Sequence, residues 1–300
     1  MANAPPPPPG EIFGDYWLER RLARGGTSEV YLARQGGPGG PLLVIKRLLP
    51  ELRDDPESLG LFAREAELHR LVHHPNVVEV YGAGQVAGEP FLAMQLVDGV
   101  DTFHLLRRAQ SDDVRPPPAL AMHIGRALCE ALEAVHQAQD AGGYALGITH
   151  RDVTPSNVYL SAEGAVFLGD FGIARSTPRG SRPQLQGASL RGKHSYLAPE
   201  QISGEPSDLR ADLFSCAVVV SELLIGRPLF AGAGQVAVLL AIRDGRIDAL
   251  RAAARWLPLG LFDVLNRALA RDPAARYPTA RALVGGRGEG GERLAEGARR

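Results

Sequence analysis

The feature that most constrains this chain is a change of hydrophobic period near residue 98. From Tyr16 to about Val97 the apolar residues fall in short β-type runs, Glu29 to Ala33, Leu42 to Arg47, Val77 to Tyr81 and Phe91 to Val97, punctuated by glycines. One amphipathic helix interrupts them: Glu57 to Val72 spaces Leu61, Phe62, Leu68, Leu71 and Val72 with a helical period. After Asp98 the runs turn helical, over Pro118 to Gln139, Asp208 to Ile225, Gln235 to Arg243 and Leu261 to Ala270. This order predicts an α+β molecule of two lobes, a small sheet-rich lobe over 14–97 and a larger helical lobe over 98–284. A ligand is expected where the lobes meet.

The ends are compositionally different. The run Pro5 to Pro9 predicts an extended leader over 1–13, and Gly285, Gly286, Gly288, Gly290 and Gly291 among charges predict a frayed tail over 285–300. Between them, a net charge of −1 removes the bulk electrostatic argument for nucleic acid or an anionic membrane as the main partner. The most apolar stretch, Leu213 to Ile225, is cut by Ser215, Ser221 and Glu222, so it reads as a buried helix and not as a membrane span. No basic and apolar leader marks the chain for export, and Cys129 and Cys216 are isolated in sequence, which excludes a disulfide framework or a cysteine metal site. A cytoplasmic location is expected.

Lysine is nearly absent: among 33 basic residues only Lys46 and Lys193 are lysines, the others being arginines. Two such survivors are expected where a compact ammonium is needed, chance retention being the alternative. Lys46 ends the apolar run Val44-Ile45-Lys46, where a buried ammonium requires an anionic partner, and Glu65 on the predicted helix is placed to be one. Upstream, Arg24-Gly25-Gly26-Thr27-Ser28-Glu29-Val30 joins two predicted strands by glycines that let backbone amides approach an anion.

These signals are weak singly, and residues 150–172 bind them together. His150-Arg151-Asp152 is followed by Asn157, then by two short apolar runs, Val158 to Leu160 and Ala165 to Leu168, and then by Asp170-Phe171-Gly172. Two carboxylates and an amide are brought together: an acid and the amide supply oxygen ligands suited to Mg²⁺, and the other acid is left to accept a proton. That donor set is what phosphoryl transfer needs: positioning, charge neutralisation and a carboxylate for the attacking hydroxyl.

In this order the motifs resemble those of the eukaryotic-type (Hanks) bacterial serine/threonine protein kinases, in a myxobacterial-like variant, over about residues 14–284. The resemblance implies the bilobal protein-kinase fold, a small antiparallel-sheet N-lobe with one helix and a larger helical C-lobe. It implies ATP and Mg²⁺ as cofactors, with Mn²⁺ as a substitute, and protein serine or threonine hydroxyls as substrates. Lys46 would bind the α- and β-phosphates and pair with Glu65; Asp152 would take the hydroxyl proton; Asn157 and Asp170 would hold the metal. Leu22, Gly25, Gly26, Val30 and Val44 would line the nucleotide, with Met94 as gatekeeper and Gln95, Leu96 and Val97 as hinge. Ala198-Pro199-Glu200 resembles the A-P-E motif, with Arg276 as partner of Glu200 and Asp212 as brace of the catalytic loop.

Two departures matter. Ala23 and Ser28 stand where the family's first and third loop glycines stand, and Val44 replaces the usual alanine, so weaker nucleotide binding is expected. Thr154 occupies the usual catalytic-loop lysine position, and Lys193 the usual threonine position before A-P-E. The two residue types are exchanged, which makes Lys193 a candidate catalytic ammonium. Arg151 beside Asp152 suits control by phosphorylation, with Ser176, Thr177, Ser181 and Ser189 as candidate sites. Competing readings are a pseudokinase scaffold, suggested by the thinned loop, and a small-molecule phosphotransferase, disfavoured by the A-P-E segment.

Overall fold

The computed structural model describes residues 10–171 and 193–286, Lys193 by its backbone alone. Most of the leader, the tail beyond Gly286, Gly172 and the candidate phosphosites therefore lie outside the described residues. The chain divides into two compact units: one runs through His73 and resumes over Val78–Asp98, the other takes His74–Val77 and the chain from Gly99 onward.

The first unit is a six-stranded antiparallel sheet in the order β1-β2-β3-β4-β6-β5. Its strands are β1 (Glu11–Phe13), β2 (Tyr16–Arg24), β3 (Ser28–Gln35), β4 (Leu42–Leu48), β5 (Val80–Val86) and β6 (Glu89–Met94). Side chains alternate across a strand, so Leu43, Ile45 and Arg47 of β4 share one face while Val44 and Lys46 share the other. The first face builds an apolar cluster of Phe13, Leu18, Tyr31, Ala33, Leu43, Ile45, Phe91 and Ala93. The Arg47 guanidinium lies 4.8 Å from the Phe13 ring centre and 4.5 Å from that of Tyr31, and donates to Glu11 at 3.1 Å. Helix α1 (Pro56–His69) starts where Asp55 accepts the Ser58 N–H and Pro56 fixes the first turn. It buries Phe62, Glu65, Ala66 and His69, one helical stripe.

Two expectations need correction here. Glu11–Phe13, assigned to the leader, forms β1 because Phe13 is buried edge-on against Phe91, 5.6 Å between ring centres. The strand expected from Val77 begins at Val80: Leu168 N–H donates to Asn76 O and the Asn76 amide donates to Val166 O, which ties this stretch to the second unit.

The second unit carries a three-stranded antiparallel sheet of β7 (Gly99–Asp101), β8 (Val158–Ser161) and β9 (Val166–Leu168). Its helices are α2 (Thr102–Ser111), α3 (Pro118–His136), α4 (Pro199–Ser203), α5 (Leu209–Ile225), α6 (Gln235–Arg243), α7 (Asp248–Ala253), α8 (Leu261–Ala268) and α9 (Ala280–Gly285). Helix α2 was not expected from apolar spacing; Asp101 caps it by accepting the His104 N–H at 2.7 Å. From Ala211 to Ile225 every α5 residue is buried, so this helix is the centre of the unit. Gly125 of α3 sits against Val220: a β-carbon there would lie 2.8 Å from a Val220 methyl. Farther along the same pair of helices the free thiols of Cys129 and Cys216, isolated from each other in sequence, are neighbours in the core. No helix among the described residues is long and apolar enough to cross a membrane.

Buried Glu222 of α5 accepts the Tyr196 hydroxyl at 2.7 Å and the Leu229 N–H at 3.0 Å. Burial lifts its carboxyl from the ordinary 4.5 to about 7, against these two hydrogen bonds. Its protonated form is therefore favoured in the folded chain, and its stabilising contribution is complete below about pH 4.5 and lost as pH rises through about 7. Urea melts are expected to show this loss in the wild type, at up to about 1.4 kcal/mol per pH unit. Glu222→Gln should flatten it; an unchanged slope would refute the assignment. Gly125→Val should lower stability by about 1–3 kcal/mol through overpacking, read as a drop in Tm; an unchanged Tm would show that α3 and α5 separate without cost.

Candidate active site

Lys46 follows two buried residues, Val44 and Ile45, on β4, so its ammonium is carried into an apolar setting. There it donates to Glu65 Oε1 of α1 at 2.6 Å, both residues being buried. A buried ammonium and carboxylate each cost solvation, and a bond this short offsets it for both. Around the pair, Val44 stands in register with Leu32 on one side and Met94 on the other, and all of Val44, Lys46 and Met94 are buried. Leu22 on β2 is exposed and Val30 on β3 half-buried. Gln95 is fixed by Glu79: its N–H donates to Glu79 O at 2.8 Å, and its side-chain oxygen accepts the Glu79 N–H at 3.3 Å. Val97 is half-buried.

The glycine-rich segment is a tight connection between β2 and β3. Gly25 N–H donates to Ser28 O at 2.8 Å, and Thr27 O accepts Leu49 N–H at 2.9 Å. The Gly25 amide, expected to face an anion, is thus engaged within the turn. Ala23 and Ser28 lie in the ladder, opposite Val30 and Leu48 respectively, in extended backbone open to any residue. The restriction expected from losing glycine at these two positions is not imposed by the backbone.

In the second unit the catalytic-loop segment hangs from Asp212. This carboxylate, in the first turn of α5, accepts His150 N–H at 2.7 Å, Arg151 N–H at 2.8 Å and a bond from His136 Nε2 at 2.9 Å. Burial works against its charge, but the His136 bond, the neighbouring histidines and the Arg151 backbone bond hold the carboxyl below its ordinary value. His150 is fully buried, which pushes its imidazole down towards the neutral form, and its ring lies 4.9 Å from that of Phe171. Arg151 takes φ +65°, a left-handed conformation directly after the two amides that Asp212 accepts.

Asp152 follows directly. Asn157 Nδ2 donates to Asp152 O at 2.9 Å and to Asp152 Oδ2 at 2.8 Å, which fixes both ends of the loop. With its amide nitrogen so used, Asn157 presents its carbonyl oxygen as the remaining donor atom. Gly169 N–H donates to Asn157 O at 2.9 Å, which ties the loop to the stretch before Asp170. Asp170 takes φ +53°, a second left-handed non-glycine position in this small region. Thr154, at the exchanged lysine position, is buried with its hydroxyl 3.1 Å from that of Ser156. Thr102 Oγ1 donates to Pro155 O at 2.9 Å from the first residue of α2.

Sequence reasoning missed His136 and Thr102. Their partners, Asp212 and Pro155, are 76 and 53 residues away, and nothing in local spacing signals such pairs. The expected Glu200–Arg276 partnership is formed as a fork: the two guanidinium nitrogens donate at 2.8 and 2.7 Å, and a third bond runs to Ala270 O at 2.8 Å. Among the described residues no three His, Cys, Asp or Glu side chains form a metal-holding group. A magnesium ion does not need one, because it retains waters and takes one or two carboxylates together with substrate phosphates. The Asn157 carbonyl oxygen and the Asp170 carboxylate fit that demand.

A protein kinase domain model matches residues 16–285. Tyrosine-protein kinase MasK of Myxococcus xanthus is 35% identical over 274 residues, covering 91% of this chain and 42% of its own length. Serine/threonine-protein kinase PknB of Mycobacterium tuberculosis is 36% identical over 278 residues, again covering 91% of this chain and 42% of its own length. The chain thus spans less than half of these two relatives. The crystal structure of the Mycobacterium tuberculosis PknI kinase domain superposes with a TM-score of 0.63 at 30% identity, covering 94% of this chain and 97% of that one. Sequence and fold agree over nearly the whole length, and the chain belongs to the protein kinase domain family.

Proposed function

We propose that this chain transfers the γ-phosphoryl group of ATP to serine or threonine hydroxyls of proteins. The observation that carries the reading is the way Asp152 is held. Asn157 grips its backbone and one carboxylate oxygen, and Asp212 grips the two backbone amides that precede it. A carboxylate fixed in this way is preorganised to orient a hydroxyl and to take its proton as that oxygen attacks phosphorus. The phosphorus–oxygen bond to the departing ADP breaks as the new bond forms.

Lys46, oriented by Glu65, is assigned to the α- and β-phosphates. Asn157 and Asp170 are the residues that would hold magnesium, which when bound neutralises charge on the phosphate oxygens. Leu22, Gly25, Gly26, Val30, Val44, Met94, Gln95 and Val97 are assigned to nucleotide contacts. A buried threonine hydroxyl at position 154 carries no charge, so the ammonium that the family supplies from this place must come from elsewhere. Lys193 is assigned that role, since it precedes the A-P-E segment and is one of only two lysines in the chain.

The protein-kinase relatives carry two kinds of name, one of them a tyrosine kinase at 35% identity, so tyrosine transfer is the second reading. Pro155 in the catalytic loop supports serine and threonine. Steady-state kinetics on a protein substrate test the assignments. Asp152→Asn is expected to lower kcat on the order of a hundredfold or more. Lys193→Ala is expected to lower it about a hundredfold with KM for ATP little changed. Full activity in Asp152→Asn would overturn the reading, and a kcat within twofold in Lys193→Ala would remove that residue from the mechanism.

A further inference from the structure

Glu29 is a buried carboxylate on β3 for which the assigned chemistry has no use. It is 5% exposed, yet it accepts Arg21 at 2.9 Å, Arg24 at 3.3 Å and the Tyr31 hydroxyl at 2.6 Å. Arg24 is the last residue of β2 and stands directly opposite Glu29 across the glycine-rich turn. Its second guanidinium nitrogen continues outward and donates to Glu51 at 2.8 Å. Glu51 belongs to the single turn Pro50–Leu52, which links β4 to α1. Leu49, just before that turn, gives its N–H to Thr27 O at the tip of the glycine-rich connection.

The turn is therefore tied twice to one segment, by a backbone bond at Thr27 and by a guanidinium spanning from Glu29 to Glu51. That segment lies between Lys46 on β4 and Glu65 on α1, the two members of the buried ion pair. A glycine-rich connection has little intrinsic stiffness, because glycine restricts the backbone least. Opposite charges directly across a strand pair, as Arg24 and Glu29 are, add stability to such a connection. Arginine suits this span, because its two terminal nitrogens sit apart on a rigid fork and reach Glu29 and Glu51 separately.

We propose that Arg24, bridging Glu29 and Glu51, is a positioning residue: it straps the glycine-rich turn to the β4–α1 segment, so that the turn is set for the nucleotide before the nucleotide arrives. Arg24 itself touches no reacting atom. The strap acts on binding, through the fraction of molecules whose turn is already placed. The inference rests on the kinase reading for its kinetic consequence, while its structural content is independent of that reading.

Arg24→Gln, Glu51→Gln and the double variant separate the possibilities. Each single change is expected to raise KM for ATP about two- to fivefold, the range of a partly exposed ion pair, with kcat changed less. The double variant should be no worse than the worse single one, because both remove the same bond. Raising salt to about 0.5 M should bring wild type and variants together, as screening weakens the exposed Glu51 arm. Hydrogen exchange on the ATP-free proteins supplies a readout that needs no activity: amides of residues 25–28 should exchange faster in all three variants. If they do while no protein transfers phosphate, the strap stands and the kinase reading fails. Unchanged exchange, an additive double variant, or a lower KM in Glu51→Gln would overturn the strap, the last because Glu51 would then be competing with ATP for Arg24.

Discussion

One buried carboxylate organises the second unit. Asp212 accepts two successive backbone amides of the catalytic loop and a histidine from the end of α3, so three separate stretches of chain meet on two oxygen atoms. Leaving such a group buried without its donors would cost several kcal/mol, and that penalty is what makes the arrangement hard to rearrange. The left-handed backbone at Arg151 sits beside it: a conformation disfavoured on its own is tolerated where the two amides that precede its α-carbon, those of His150 and Arg151, are already committed to Asp212. Asp152 then has no freedom of placement left, and Asn157 fixes its carboxylate.

The rest of the scaffold serves the same purpose at greater distance. Helix α5 can present Asp212 because it is buried on all sides, and Gly125 lets α3 approach closely enough to deliver His136. Arg276, itself buried, forks onto Glu200 and bonds the carbonyls of Ala270, Arg210 and Arg271, which locks the start of α4 to the end of the fold. In the first unit the corresponding constraint is the Lys46–Glu65 bond, which joins the sheet to its single helix. In both units these buried charges are received by another charge or by a set of hydrogen bonds.

Much of this was legible in the sequence, for a physical reason. The Lys46–Glu65 pair was readable because a buried ammonium on an apolar strand needs an anionic partner, and the change of hydrophobic period near residue 98 marked the two units. Helices with a clear apolar stripe, such as α3 and α6, could be placed within a few residues. What stayed hidden depends on partners far along the chain. The strand at Glu11–Phe13 exists because Phe91 is there to cover Phe13, and α2 is short and polar, held by its Asp101 cap and by Thr102. The contact of Cys129 with Cys216 and the bond of His136 to Asp212 likewise arise only when α3 lies on α5. The glycine-rich turn shows the converse: its thinned glycine pattern suggests damage, but Ala23 and Ser28 sit in ordinary strands and a charged strap holds the connection between them.

The most direct test is label transfer. The purified chain is incubated with magnesium and γ-labelled ATP, with itself and a general protein as acceptors, and the labelled amino acid is identified after hydrolysis. Phosphoserine or phosphothreonine is expected, and neither should form when Asp152 is replaced by asparagine. Label found only on tyrosine would contradict the acceptor assignment, and no label from a folded, nucleotide-bound protein would contradict catalysis itself.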